Sequence, residues 1–204
     1  EVKTYPAISN IDGIGIDLDL GNTNVWVYRN VVLDCVGNSG VESSGQGIAI
    51  FGSNTNYVFG NLLVRNRHSI VFGDDNAGIA GVPNYIENNT IVNSALDGIS
   101  TVFSVEQVNI IRNNIIVGSG RYGISSVGTG MQTLQANILY GNIGGDYNSQ
   151  TPGTTDILND PGFVSNTDYR LQRNSIGRRA GVSGGTCVDV RGRSCYSIRP
   201  DIGA

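Results

Sequence analysis

Two aspartates, Asp17 and Asp19, stand two residues apart in the run Gly15-Ile16-Asp17-Leu18-Asp19. On an extended strand that spacing puts both carboxylates on one face, near enough to share a cation or a proton. A second acidic pair, Asp74-Asp75, follows Ser69-Ile70-Val71-Phe72-Gly73, and Arg65, Arg67 and His68 precede that run. Such residues suit cation binding by carboxylate oxygens or acid–base work by a carboxylate and a nearby His or Arg. They also have a plainer reading, in which Asp74-Asp75-Asn76 is turn chemistry and the single His68 marks a strand entry. No CxxC occurs and His68 is distant from all three cysteines, so a Cys/His metal centre is not indicated. Cys187 and Cys195 lie close together in a Gly/Arg-rich terminal segment, where a disulfide would staple a loop with little core. Cys35, after Val31-Val32-Leu33, is expected to be a buried thiol.

The elements that must position these residues repeat along the chain. An apolar strand, an Asn corner and a second apolar strand recur at Val25–Leu33, Tyr57–Val64, Tyr85–Val92, Asn109–Val117 and Gln135–Tyr140. The corner residues Asn30, Asn61, Asn89, Asn114 and Asn137 are spaced 31, 28, 25 and 23 residues apart. Between them falls another strand, seen in Gly15-Ile16-Asp17-Leu18, Gly47-Ile48-Ala49-Ile50, Ser69-Ile70-Val71-Phe72, Gly98-Ile99-Ser100-Thr101 and Gly123-Ile124-Ser125-Ser126. A repeat of about 20 to 45 residues built from short strands is the mark of a solenoid.

Alternation turns Ile16, Ile48, Ile70, Ile99 and Ile124 inward as one column. Asn at the corner tolerates a left-handed backbone, and stacked Asn side chains can bond along the ladder. The expected fold is all-β: a right-handed parallel β-helix of five to seven coils, with three short strands per coil. The coils occupy residues 1–140, and residues 141–204 form a last coil and an irregular C-terminal cap of the same domain. A two-sheet sandwich does not repeat one three-strand unit with one Asn corner. The long connections, 34–46 and 73–83, flank the Gly-Ile-x-Ile strand, and insertions on one side of a solenoid mark its working face.

Composition narrows the function. Charged residues make up 15% of the chain and the net charge is −4, which argues against nucleic acid, a partner that needs a basic stripe. The Arg residues of the last third are interspersed with Asp and read as solvated surface. No apolar run approaches the length of a membrane span. A cysteine pair and a single lysine, Lys3, favour a secreted or cell-surface protein. The first residue is Glu1, from which a processed chain or a piece of a longer one is expected.

From Gly15 to Tyr140 the chain resembles the right-handed parallel β-helix family of secreted polysaccharide lyases and glycoside hydrolases. Asp160-Pro161-Gly162-Phe163-Val164, Tyr169-Arg170-Leu171 and Pro200-Asp201-Ile202-Gly203-Ala204 are similar to the closing segment of large bacterial β-helix proteins. The resemblance implies a polysaccharide lying in a groove along the Gly-Ile-x-Ile face. It then implies Asp17, Asp19, Arg65, His68 and Asp74 as catalytic candidates, with Glu42, Phe51 and Arg67 beside the substrate. A lyase would neutralise a uronate with calcium held by Asp17, Asp19, Asp74 and Asp75. A hydrolase would set two carboxylates about the glycosidic bond. The other reading is a non-catalytic structural or adhesive solenoid that binds glycans or assembles end to end, because open strand edges invite another copy. Further N-terminal coils, or that copy, are expected to cover the first coil.

Overall fold

A computed structural model describes residues 2–3, 13–19, 21–38, 41, 44–73, 82–101, 108–127, 132–183 and 200–203. The chain winds through three sheets in constant order. Sheet A holds β1 (Val2–Lys3), β4 (Val31–Leu33), β7 (Leu62–Val64), β10 (Thr90–Val92), β13 (Ile115–Val117) and β16 (Ile138–Tyr140). Sheet B holds β2 (Ile16–Leu18), β5 (Gln46–Phe51), β8 (His68–Gly73), β11 (Ile99–Thr101), β14 (Tyr122–Ser126) and β17 (Gly145–Asn148). Sheet C holds β3 (Trp26–Tyr28), β6 (Tyr57–Phe59), β9 (Asn84–Glu87), β12 (Asn109–Arg112) and β15 (Gln132–Gln135). Strands pair in parallel with those one turn before and after, and no helix occurs among the described residues. The expected parallel β-helix is the fold.

Three residues cannot hold a strand alone. Each is held by the coils on either side, which supply its ladder hydrogen bonds and continue its side-chain column. The Ile column of sheet B runs in register from Ile16 through Ile48, Ile70 and Ile99 to Ile124, and ends on Tyr147. Val32, Leu63, Ile91, Ile116 and Leu139 form the inward column of sheet A. Val27, Val58, Ile86, Ile111 and Leu134 form that of sheet C. Each such side chain contributes about 1.5–3 kcal/mol by leaving water.

The corner between sheets C and A differs from expectation in one respect. The left-handed residue is the one before the aligned Asn: Arg29 (φ 58°), Gly60 (60°), Asn88 (52°), Asn113 (57°) and Ala136 (52°). That kink aims the following Asn along the inside of the wall. There Asn30, Asn61, Asn89, Asn114 and Asn137 form a ladder, each Nδ2 donating to the next Oδ1 at 3.1, 2.9, 3.0 and 3.1 Å. The last rung is Asp156, whose Oδ1 accepts from Asn137 N–H (2.8 Å) and Nδ2 (3.2 Å). Its Oδ2 accepts from the Tyr147 hydroxyl (2.7 Å) and the Gly153 N–H (2.8 Å). An acceptor-only carboxylate suits the end of a row of donors. Burial first, and this hydrogen bond second, push the Tyr147 hydroxyl well above the usual tyrosine range.

Beyond β17 the chain folds back on the solenoid. Ile157, Phe163, Leu171, Ala180 and Val182 pack with Ile115, Val117, Ala136, Ile138 and Ile202. Part of the outer side of sheet A is thereby covered.

Candidate functional site

Asp17 and Asp19 are both exposed, Asp17 on β2 and Asp19 just past its end, where its carbonyl accepts from Asn22 Nδ2. The positions in register with Asp17 are Ala49, Val71, Ser100 and Ser125, all buried, and then half-buried Asn148, and none is an acid or a base. Phe51 ends β5 and is half-buried. Asp74, Asp75, Glu42, Cys187 and Cys195 lie outside the described residues.

The three basic candidates divide by task. Arg65 occupies a left-handed corner (φ 54°) and grips Asp34 with two hydrogen bonds, Nε to Oδ1 at 2.8 Å and Nη2 to Oδ2 at 2.9 Å. That contact holds its guanidinium above the ordinary arginine range. Arg67 donates through Nη1 to the Asn38 and Val41 carbonyls, each at 2.5 Å, and to Ser44 Oγ at 3.0 Å. It braces the connection between β4 and β5. His68 opens β8 and is buried, with Nδ1 3.6 Å from Asp97 Oδ2 and 3.5 Å from Ser100 Oγ.

Around His68 lies a polar cluster that the repeat did not reveal. Asp97 accepts from Arg121 Nε (2.9 Å), Arg121 Nη2 (2.6 Å) and the Tyr122 N–H (3.1 Å). His68 meets the Asp97 carboxylate and the Ser100 hydroxyl at one ring nitrogen, Nδ1. The cluster ties three coils together, and its His and Asp are buried from solvent.

Sheet C carries a different face. Outward of the Val27 column, Trp26, Tyr57 and Tyr85 stand in register, followed by Ile110 and Thr133. Tyr28 and Phe59 head the neighbouring column, followed by Glu87, Arg112 and Gln135. Ring centroids are 5.6 Å apart for Trp26–Tyr57, 4.8 Å for Tyr57–Tyr85 and 5.1 Å for Tyr28–Phe59. Phe59 is buried beneath Trp26 and Tyr28, while Trp26 is 56% and Tyr28 45% exposed. The signal was present in the sequence: Trp26, Tyr57 and Tyr85 each stand four residues before a corner Asn.

A third feature is a cavity of about 370 Å³ between the outer side of sheet A and the turn 167–170. Leu33, Leu62 and Val64 form its floor, and Arg65, Tyr169 and Arg170 its rim. Both rim cations are ion-paired, Arg65 with Asp34 and Arg170 with Asp168.

Stacked coils, three parallel sheets and an internal Asn ladder define a β-helix protein. The sequence model of the family described as "Periplasmic copper-binding protein (NosD)" matches residues 9–150, and the chain belongs to that family. No curated protein and no solved structure matches the chain. The family's periplasmic description agrees with a place in the cell envelope. No helix among the described residues is long and apolar enough to cross a membrane.

Copper needs soft or imidazole donors converging on one point. Among the described residues no group of three or more His, Cys, Asp or Glu does so. Cys35 Sγ belongs to the interior, 3.8 Å from the Leu33 carbonyl and packed in the core cluster, whereas His68 joins Asp97 and Ser100. The described residues do not fit a copper centre.

Proposed function

We propose that this protein is a non-catalytic, glycan-binding β-solenoid of the cell envelope, with the outer side of sheet C as its binding face. The observation that carries this reading is the row Trp26, Tyr57 and Tyr85 beside a half-exposed Tyr28. Exposed apolar side chains are ordinarily scattered singly. Here they adjoin, and Trp and Tyr each combine an apolar ring with a polar tip. That combination matches a sugar, which has C–H patches on its ring faces and hydroxyls around its edge. Cleavage receives less support, because the described positions in register with Asp17 bring no acid or base to it.

The single tryptophan is Trp26, so tryptophan emission, excited beyond the absorption of the nine tyrosines, reports from the proposed face alone. Titration with soluble polysaccharides is expected to shift that emission, and Trp26→Ala is expected to weaken retention in affinity gels containing the same glycans. If no glycan perturbs Trp26, or if Trp26→Ala binds unchanged, the reading is wrong.

A further inference from the structure

We infer that the sheet C face takes a neutral, extended glycan lying along the solenoid axis, one sugar to each coil, over three sugars. This rests on the glycan-binding reading above and adds direction, length and charge to it.

Direction follows from register. Trp26, Tyr57 and Tyr85 come from successive coils, so their row climbs the axis with centroid steps of 5.6 and 4.8 Å. Coils rise about 4.8 Å each, close to the length of one extended pyranose unit, so an axial glycan meets one ring per sugar. A glycan laid across the sheet would meet only Trp26 and Tyr28, about 7 Å apart along their strand, before reaching the corner. Tyr57 and Tyr85, 5° from parallel at 4.8 Å, stack on each other and so offer an axial glycan their edges and hydroxyls, while Trp26, tilted 55° from Tyr57 and 56% exposed, offers an open ring.

Length follows from where the aromatics stop. After Tyr85 the row continues as Ile110 and Thr133, and the neighbouring column changes from Phe59 to Glu87 and Arg112. Three aromatic positions make three contact subsites.

Charge follows from the same two columns. Their only ionisable groups outside the tyrosines are Glu87 and Arg112, joined by Arg112 Nε to Glu87 Oε1 at 2.7 Å, so the columns carry no net charge. Arg29 stands at the corner after Tyr28, off both columns. A polyuronate would lay a carboxylate on every coil of this neutral wall, on a chain whose net charge is already −4. Each would lose water without gaining a cation. A neutral glycan has no such cost.

The test uses β-1,4-linked glucose and mannose oligomers of one to six sugars, with α-1,4-linked galacturonate oligomers of matched length. Binding is followed by Trp26 fluorescence and calorimetry. At least one neutral series is expected to tighten at least tenfold between one sugar and three and to change less than twofold beyond four. The galacturonates are expected to bind at least tenfold more weakly than that series. Tyr85→Ala should reduce trimer affinity to that of the dimer and leave the dimer unchanged, while Tyr85→Leu, which keeps apolar bulk, guards against a folding defect. Galacturonates binding as tightly as the neutral oligomers, and through Trp26, would overturn neutrality while leaving glycan binding intact. Affinity independent of length, or indifferent to both Tyr85 variants, would overturn the axial placement. Silence of Trp26 and of the calorimeter toward all three series would overturn the glycan reading itself.

Discussion

Replacing Asn89 by Ala removes the middle rung of the internal ladder, and the structure sets the cost. Asn89 is fully buried. Its Nδ2 donates to the Val58 carbonyl (2.9 Å) and to Asn114 Oδ1 (3.0 Å), and its Oδ1 accepts from Asn61 N–H (3.1 Å) and Nδ2 (2.9 Å). At about 1 kcal/mol net for each hydrogen bond, Asn89→Ala should cost about 4 kcal/mol. Asn30 provides the internal control. It sits at the ladder's N-terminal end, where Asn30→Ala loses the Nδ2 bonds to Asn61 Oδ1 and the Tyr28 carbonyl, both 3.1 Å. The Asn30 N–H still reaches Asn61 Oδ1 at 2.9 Å. With Asn30 half-exposed and water able to replace part of the loss, about 1 kcal/mol is expected. Urea unfolding separates the two: with a slope of about 2 kcal/mol/M, the midpoint should fall by about 2 M for Asn89→Ala and by about 0.5 M for Asn30→Ala. Coincident circular dichroism and Trp26 fluorescence transitions check that the coils melt together. Equal costs for the two variants would refute the ladder as a source of stability.

Gly98→Ala should cost about 1–3 kcal/mol, because the new methyl would lie 2.4 Å from Ile116 Cγ2 and 2.7 Å from the Gly123 carbonyl, and a thermal melt reads the loss. At Gly21 a Cβ meets nothing within 4 Å but φ is +83°, so Gly21→Ala should cost only the backbone term of about 1–2 kcal/mol. Arg121→Ala strips the guanidinium from the buried Asp97 carboxylate, for an expected loss of about 3 kcal/mol in urea unfolding. Tyr147, whose pKa is raised in the folded protein, stays protonated where the unfolded chain ionises. Its stabilisation is therefore complete below about pH 10 and declines above it by at most ~1.4 kcal/mol per pH unit. Tyr147→Phe should flatten that alkaline decline relative to the unmodified protein, and stability measured from pH 8 to 11 tests it.

The repeat was legible because the same physics acts on every coil. Ile16, Ile48, Ile70, Ile99 and Ile124 occupy one inward column, as alternation requires, and Asn30 to Asn137 form the anticipated ladder. Which corner residue takes positive φ was not legible. Arg29 and Ala136 do so without the Gly or Asn that ordinarily announces it, because the stacked coils impose the turn. Asp156 was hidden as well, since the ladder's last rung is an Asp in an irregular segment. Of the candidate site residues, Asp17 and Asp19 share an exposed edge of sheet B, whereas Arg65, Arg67 and His68 face three different sets of partners. Neighbours in sequence at a solenoid corner point apart, because the chain changes sheet between them.

The three outer walls have three fates, and these decide where a ligand can sit. Sheet A is partly sealed by the C-terminal segment, through Phe163, Leu171 and Ile202 against Ile115 and Ile138. Sheet B turns Ala49, Val71 and Ser100 outward yet keeps them buried, His68, Asp97 and Arg121 beside it are spent on one another, and Asp17 is left as its exposed end. Among the described residues, sheet C presents a row of rings in register at coil spacing, Trp26 exposed and Tyr57 and Tyr85 half-buried, whereas sheet A shows the single exposed ring of Tyr140. Long connections first marked sheet B as the working face, on the reasoning that insertions gather beside a ligand. Buried outward side chains are better explained as packing surface, whereas Trp26 and Tyr28 cover Phe59 with one side and still leave about half of each ring in water. Replacing Trp26 and Tyr28 by Thr removes three ring contacts with Tyr57 and Phe59, so the urea midpoint should fall by about 1–2 M, with the coils still melting in one transition, while glycan retention is abolished. Binding left intact would return the ligand to sheet B.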